Sequence, residues 1–317
     1  MRIHPLFLVP ALCFLITPLQ ARVWTSADGT HETEAEYISA RDGSVTLQKP
    51  DGKHITFSLD KLSSEDQAWV KERIASEPTP GTTGGTAKTG AEKSNEYTKQ
   101  ITGKWERLED AGLKYRFFAG RELKGSKLHP LVIYLHGKGG DVMTPDVPGQ
   151  AGDFAKDANY NKRPCFIIAP QCPANEFWSG DNSAKVIKVI NTLVRNLPVD
   201  GDRIYITGYS MGGFGTFDIV AREPKLFAAA VPVSGGGNPS TAASMKRVPF
   251  RVFHGDADTV VNVEQSRKMV EALKKAGGKV DYTEIPGGSH GIIGQVYQDE
   301  KLHEWMFDQT KGRKPAK

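Results

Sequence analysis

The chain has 317 residues, with 41 Lys and Arg against 37 Asp and Glu for a net charge of +4. So small a surplus, with no basic run interleaved with aromatics, excludes nucleic acid as an implied partner. Beyond the N terminus no stretch is both apolar and long enough to span a bilayer, so stable membrane insertion of the mature protein is excluded as well.

Residues 1–21 carry one early charge (Arg2), an apolar stretch from Leu6 to Ile16 and a small residue at Ala21, the pattern of a secretory signal peptide. The apolar core is short for a span, which needs about 20 residues. An N-terminal anchor is the other reading. Cys13 raises a lipoprotein, but Leu12 stands where a small residue is expected. The expected location is periplasmic or secreted.

Residues 22–74 alternate like short antiparallel strands: Arg22 to Ser26, Glu32 to Ile38, Ser44 to Lys49 and Lys53 to Ser58. Asp28-Gly29, Asp42-Gly43 and Asp51-Gly52 separate them, and Asp-Gly is a strong hairpin-turn signal. Ser64 and Gln67 have the spacing of a capping box and open a short helix carrying Trp69 and Val70. The pattern predicts a small β-barrel closed by a helix. With its Arg22-Val23-Trp24-Thr25 start, Ala35-Glu36-Tyr37, Val45-Thr46-Leu47 and Leu59-x-x-Leu62-Ser63 followed by Asp66-Gln67, the segment resembles the Sla homology domain, an SH3-like module. That resemblance implies a protein or peptide ligand. Residues 75–97 follow as a linker: from Glu77 to Ser94 there is no large apolar side chain to offset the entropy of ordering.

Residues 98–317 alternate strand and helix signals over a length that suits one α/β core. Pro130 to Leu135, Cys165 to Ala169, Arg203 to Thr207, Ala228 to Val233, Phe250 to Phe253 and Val280 to Ile285 are apolar strand candidates, as in a parallel sheet covered on both faces. Helical patterns run over Ser183 to Leu197, Gly213 to Arg222, Val263 to Ala276 and, at the end, Val296 to Phe307. Cys165 and Cys172 are separated by about 23 Å if the strand between them is extended, too far for a disulfide. Two unpaired, buried cysteines are expected.

The segment Gly208-Tyr209-Ser210-Met211-Gly212 follows a strand and opens a helix, as a nucleophile elbow does. Gly287-Gly288-Ser289-His290-Gly291 fits the same pattern. Chain order separates them. In the α/β-hydrolases whose elbow this segment resembles, an acid and then a histidine follow the serine, and Ser210 is followed by His254-Gly255-Asp256-Ala257-Asp258 and by His290, whereas Ser289 has only Asp299, Glu300 and His303 on one terminal helix. A serine hydroxyl needs a base within hydrogen-bond reach and a third group to orient that base. Ser210, His290 and an aspartate of the pair Asp256 and Asp258 follow three strands whose carboxyl ends would share one edge of the sheet.

Leu135-His136-Gly137-Lys138-Gly139-Gly140 follows the first of these strands, where backbone N–H groups could stabilise a tetrahedral anion. Together with Ala169-Pro170-Gln171-Cys172-Pro173, Trp178, the segment Asp202 to Gly213, His254 to Asp258 and Gly288-Ser289-His290, it makes residues 105–310 resemble secreted α/β-hydrolases of the predicted-peptidase, dienelactone-hydrolase and polyhydroxybutyrate-depolymerase-like esterase group. The resemblance implies an α/β-hydrolase fold with a mostly parallel sheet. It favours Asp258 as the acid, with Asp256 a turn residue, and gives Met211 and Lys138 as oxyanion donors, with Gly139 the alternative to Lys138. It leaves His136 to hold the loop. Phe177 and Trp178 are candidates to line the substrate pocket, and the Lys138 side chain is a candidate to attract a substrate carboxylate.

The expected activity is that of an exported serine esterase, with an ester on a polysaccharide as candidate substrate and no metal or organic cofactor. A serine peptidase of the prolyl-oligopeptidase-like group is the alternative enzyme. A catalytically silent binding or adhesion protein is the alternative outside enzymology.

Overall fold

In a computed structural model the chain divides into two compact units, Met1–Ala87 and Lys88–Lys317. The structure describes residues 22–41, 44–49, 54–76, 101–123 and 127–311. The expected signal peptide at 1–21, residues 77–97 of the expected linker, and the expected turn pairs Asp42-Gly43 and Asp51-Gly52 lie outside the described residues.

The first unit runs β1 (Arg22–Thr25), β2 (Glu32–Arg41), β3 (Ser44–Gln48), β4 (His54–Ser58) and α1 (Ser64–Ser76). The strands form an antiparallel sheet in chain order. Alternation turns Trp24, Ala35, Tyr37, Val45 and Leu47 inward, where Leu62 and Val70 complete a core. An isolated bridge from Ser26 to Leu62 ties the end of β1 to the approach of α1, so the bridge and the helix close this unit.

The start of α1 differs from the sequence expectation. Ser63, rather than Ser64, caps it: its Oγ accepts from the Asp66 N–H at 3.2 Å and donates to Asp66 Oδ2 at 3.1 Å. Asp66 is buried, and also accepts from Arg22 at 2.6 Å and from the Thr25 N–H at 2.7 Å. Gln67 instead donates to the Leu62 carbonyl at 2.8 Å. β1 supplies two donors that the Asp66 carboxylate accepts, and that choice sets the frame of the cap. The helix runs to Ser76, two residues into the stretch read as linker.

The second unit contains β5 (Trp105–Asp110), β6 (Leu113–Ala119), β7 (His129–Leu135), β8 (Phe166–Pro170), β9 (Val199–Tyr209), β10 (Ala229–Val233), β11 (Phe250–Gly255) and β12 (Val280–Ile285). They form one sheet in the order β12-β11-β10-β9-β7-β8-β6-β5. From β12 to β8 every pair is parallel, and the β5–β6 hairpin adds an antiparallel edge. Every residue of β7, β8 and β10 is buried, as expected of strands covered on both faces. Leu131, Ile133 and Leu135 point into one apolar layer, and Val132 and Tyr134 into the other.

The helices are α2 (Ala151–Ala155), α3 (Asp157–Tyr160), α4 (Gly180–Asn196), α5 (Met211–Arg222), α6 (Ala242–Met245), α7 (Glu264–Lys275), α8 (Ile293–Tyr297) and α9 (Glu300–Asp308). The single helix expected from Val296 to Phe307 is thus two, because Asp299 accepts from the Lys301 N–H at 3.0 Å and starts a new helix. The β5–β6 hairpin is absent from the sequence expectation. Charged residues occupy four of the six positions of Trp105–Asp110, and Arg116 interrupts the apolar run of β6. Its turn is carried by Ala111 and Gly112, both left-handed at φ 52° and 68°. Cys165 and Cys172 flank β8, both buried and unpaired.

Candidate active site

β9 ends at Tyr209 and α5 begins at Met211, leaving Ser210 alone in the turn with φ 55° and ψ −117°. The left-handed strain therefore falls on the serine itself. The glycines on either side have a different reason. A Cβ on Gly208 would lie 2.3 Å from the Gly212 carbonyl oxygen, and one on Gly212 would lie 2.0 Å from that of Leu135. They let α5 approach β9 and β7 more closely than any side chain allows.

Asp258 lies in the loop after β11, and His290 opens a 3-10 turn after β12. Because β9, β11 and β12 are parallel members of one sheet, their carboxyl ends bring three distant segments to one edge. His290 Nε2 is 2.9 Å from Ser210 Oγ, and His290 Nδ1 is 2.6 Å from Asp258 Oδ2. The other oxygen of Asp258 accepts from the Val260 and Val261 N–H groups at 2.8 and 2.9 Å. Burial alone would push this carboxyl up. The hydrogen bonds from His290, Val261 and Val260 outweigh it and hold the group below the usual carboxylate range. An ionised Asp258 fixes the proton of His290 on Nδ1, which leaves Nε2 as an acceptor facing the serine hydroxyl.

Asp256 and Ser289 are engaged elsewhere. Asp256 accepts from the Gly287 N–H at 2.6 Å and joins the loops after β11 and β12. Ser289 accepts from the Gly291 N–H at 3.2 Å and caps the turn that carries His290.

The loop after β7 is braced from several sides. His136 is buried, donates through Nδ1 to the Gly137 carbonyl at 2.7 Å and accepts the Cys172 N–H on Nε2 at 3.0 Å. Desolvation lowers its basicity, consistent with a neutral ring that donates on one side and accepts on the other. Trp178 donates to the His136 carbonyl at 3.0 Å. Gln171 accepts from the Val142 N–H at 2.8 Å and donates to the Gly140 carbonyl at 3.1 Å, and Arg116 donates to the carbonyls of Val142, Thr144 and Asp146.

A cleft of about 560 Å³ opens on Ser210, and Lys138, Met211, Phe177 and Trp178 all line it. Gly139 does not, so among the two loop residues Lys138 is the one on the cleft wall. α5 adds Phe214 and Phe217. Trp178 is 2 % exposed while Phe177 is 55 % exposed, so the first is a wall and the second a lip. The Lys138 ammonium lies over the Phe177 ring, 5.6 Å from its centroid. The N–H of Met211, the first residue of α5, belongs to the helix turn that lacks intrahelical acceptors. Among the described residues no group of three His, Cys, Asp or Glu is placed to hold a metal ion.

Several contributors escaped the sequence reading. Tyr209 donates to the His290 carbonyl at 2.7 Å and packs its ring 4.9 Å from the imidazole. Gln171 and Arg116 brace the loop after β7. His254 lies 3.3 Å from the oxygen of Asp258 that holds His290. Its place four residues before Asp258, one helical turn if the segment were a helix, carries no signal for a contact across a strand end.

Comparison with known proteins divides the chain in the same way. Residues 17–77 match the family model for SLA1 homology domain 1, and residues 178–303 match the phospholipase/carboxylesterase model. The endo-1,4-beta-xylanase/feruloyl esterase of Xylanibacter ruminicola is 27% identical over 226 residues, which is 67% of this chain and 30% of that protein. The actin cytoskeleton-regulatory complex protein SLA1 of Vanderwaltozyma polyspora is 37% identical over 60 residues, 19% of this chain and 5% of its own length. The crystal structure of a thermostable esterase is 35% identical with a TM-score of 0.61, covering 66% of this chain and 63% of that one. The chain thus spans less than two thirds of the length of each of these relatives. Its N-terminal unit is similar to SLA1 homology domain 1, and its C-terminal unit has the α/β-hydrolase fold and is similar to the phospholipase/carboxylesterase family.

Proposed function

We propose that the protein is an exported carboxylic ester hydrolase in which Ser210 is the nucleophile. The observation that carries this reading is the continuous path from Ser210 Oγ to His290 Nε2 at 2.9 Å and from His290 Nδ1 to Asp258 Oδ2 at 2.6 Å, opening on a cleft walled by Met211 and Lys138. His290 takes the hydroxyl proton as Ser210 Oγ attacks the ester carbonyl. The oxyanion accepts the N–H groups of Met211 and Lys138, and removing one such donor typically costs about 3 kcal/mol in the transition state. Collapse of the tetrahedral intermediate breaks the ester C–O bond, and His290 returns the proton to the departing alcohol. Water, activated by the same imidazole, then attacks the acyl-enzyme and releases the acid.

An ester on a plant polysaccharide is the proposed substrate. The relative from Xylanibacter ruminicola bears the names of a xylanase and a feruloyl esterase, and the cleft is walled by Trp178, Phe214 and Phe217, side chains that favour an acyl group with apolar bulk. The signal-peptide pattern of residues 1–21 supports export, and the N-terminal unit is assigned a protein or peptide ligand by its similarity to SLA1 homology domain 1. Turnover of p-nitrophenyl acetate and butyrate by residues 22–317, run beside Ser210→Ala and Ser289→Ala, tests the reading. Loss in Ser210→Ala alone is expected. A wild type that neither turns over these esters nor is labelled by a fluorophosphonate would refute it.

A further inference from the structure

His254 is fully buried near the end of β11. Its Nε2 lies 2.9 Å from the Val261 carbonyl oxygen and 3.3 Å from Asp258 Oδ2. Its Nδ1 lies 2.7 Å from Ser266 Oγ, and that hydroxyl in turn lies 2.8 Å from the Gly235 carbonyl oxygen. Both ends of this chain are acceptors only. Three contacts therefore need three hydrogens: one on Nε2, one between Nδ1 and Ser266 Oγ, and one from Ser266 Oγ to Gly235. A neutral imidazole and a hydroxyl bring two. The missing hydrogen would leave two acceptors face to face in a site from which water is excluded, where an unmade hydrogen bond is costly. Doubly protonated His254 supplies the third.

The charged groups around the ring agree with that state. Asp258 lies beside Nε2 with His290 on the same oxygen. On the neighbouring strand Glu284 pairs in register with His254, and Arg267 of α7 engages that carboxylate. The nearest full charge to the ring is the Asp258 carboxylate, which favours a cation.

We infer that His254 is held as an imidazolium against Asp258 and is a positioning residue of the triad, so that one carboxylate lies between two imidazoles. The His254 cation takes up part of the Asp258 charge. His290 then feels a weaker anion and is free to act as the base. The catalytic consequence rests on the esterase reading; the protonation of His254 does not.

The test uses residues 22–317 labelled with ¹⁵N-histidine. Near neutral pH both ring nitrogens of His254 are expected at protonated shifts, assigned by their absence in His254→Asn or, should that variant not fold, by their displacement in Ser266→Ala. One protonated and one bare nitrogen would overturn the inference. In the pH profile of kcat/KM with p-nitrophenyl acetate, His254→Asn is expected to move the acid limb upward by about one pH unit, the scale of one nearby charge, with activity recovering at higher pH. An unmoved limb with a uniformly lowered plateau would make His254 a packing residue and overturn its role at the triad. A wild type without turnover would count against the esterase reading alone, since the spectrum still decides the state of His254.

Discussion

Gly212→Ala is the substitution that most directly tests the elbow. The new Cβ would lie 2.0 Å from the Leu135 carbonyl oxygen and 2.6 Å from its carbon, and the first ordinary contact distance is 3.4 Å. Backbone must therefore move by about 1.4 Å, the difference of those distances, because no side chain can swing away. The parts forced to separate are the first turn of α5, which carries the Met211 amide, and the end of β7, which leads into the Lys138 loop. Overpacking of this kind costs about 1 to 3 kcal/mol, and each kcal/mol lowers the melting temperature by about 2 to 4 °C in a domain of this size. A misplacement of about 1 Å also costs roughly 10²-fold in rate. The variant is expected to melt at least several degrees lower and to lose kcat far more than KM. Gly291→Ala is the control. It holds the same place in the second serine motif, yet its Cβ would meet only Ser289 Oγ at 3.5 Å, and its stability is expected to stay within about 0.5 kcal/mol of the wild type. A Gly212→Ala protein with wild-type melting and a kcat within about twofold would refute the close-approach argument.

Other substitutions probe other links. Trp178→Phe keeps the ring in the wall but strands the His136 carbonyl, so a stability loss of about 1 to 3 kcal/mol with reduced kcat is expected in melting and ester assays. In the N-terminal unit Asp66→Ala leaves Arg22, the Thr25 amide and the Ser63 hydroxyl without their acceptor, and a loss of about 3 kcal/mol should appear in chemical denaturation followed by tryptophan fluorescence. His136 and His303 are buried, and desolvation lowers both below the ordinary value of 6.5. The unfolded chain therefore binds more protons than the folded one below that pH. Stability is fully present above about pH 6.5 and declines as pH falls beneath it, by up to about 1.4 kcal/mol per unit for each group; a melting temperature constant from about pH 7.5 to 5 would contradict this. Cys165 and Cys172 should resist a thiol reagent in native protein and react after denaturation. Burial raises both thiols, Cys172 to about 11.

Chain order and placement after apolar strands were enough to pick out Ser210, His290 and the pair Asp256 and Asp258, because they are local properties that survive without coordinates; only the resemblance to α/β-hydrolases favoured Asp258 within the pair. It also separated Ser210 from Ser289, since only one of them had an acid and a base still to come on different strands. The β5–β6 hairpin was not legible: its charges follow the edge of a sheet, and Arg116 is stabilised by carbonyls about 30 residues away in sequence. The cap of α1 was misplaced by one residue for a similar reason. Ser63 and Ser64 are equivalent as letters, and Asp66 chooses between them through partners on β1.

The sequence by itself determined the strands from β7 to β12 and the places of Ser210, Asp258 and His290 after three of them, because periodicity, turn residues and residue types are written one residue at a time. Only the tertiary structure decided what each group faces. It put the strain on Ser210 and the steric demand on its neighbouring glycines, braced the Lys138 loop through His136, Gln171 and Trp178, and set His254 against Asp258. Those relations come from parallel strands ending at one edge, which brings into contact residues that no local pattern connects.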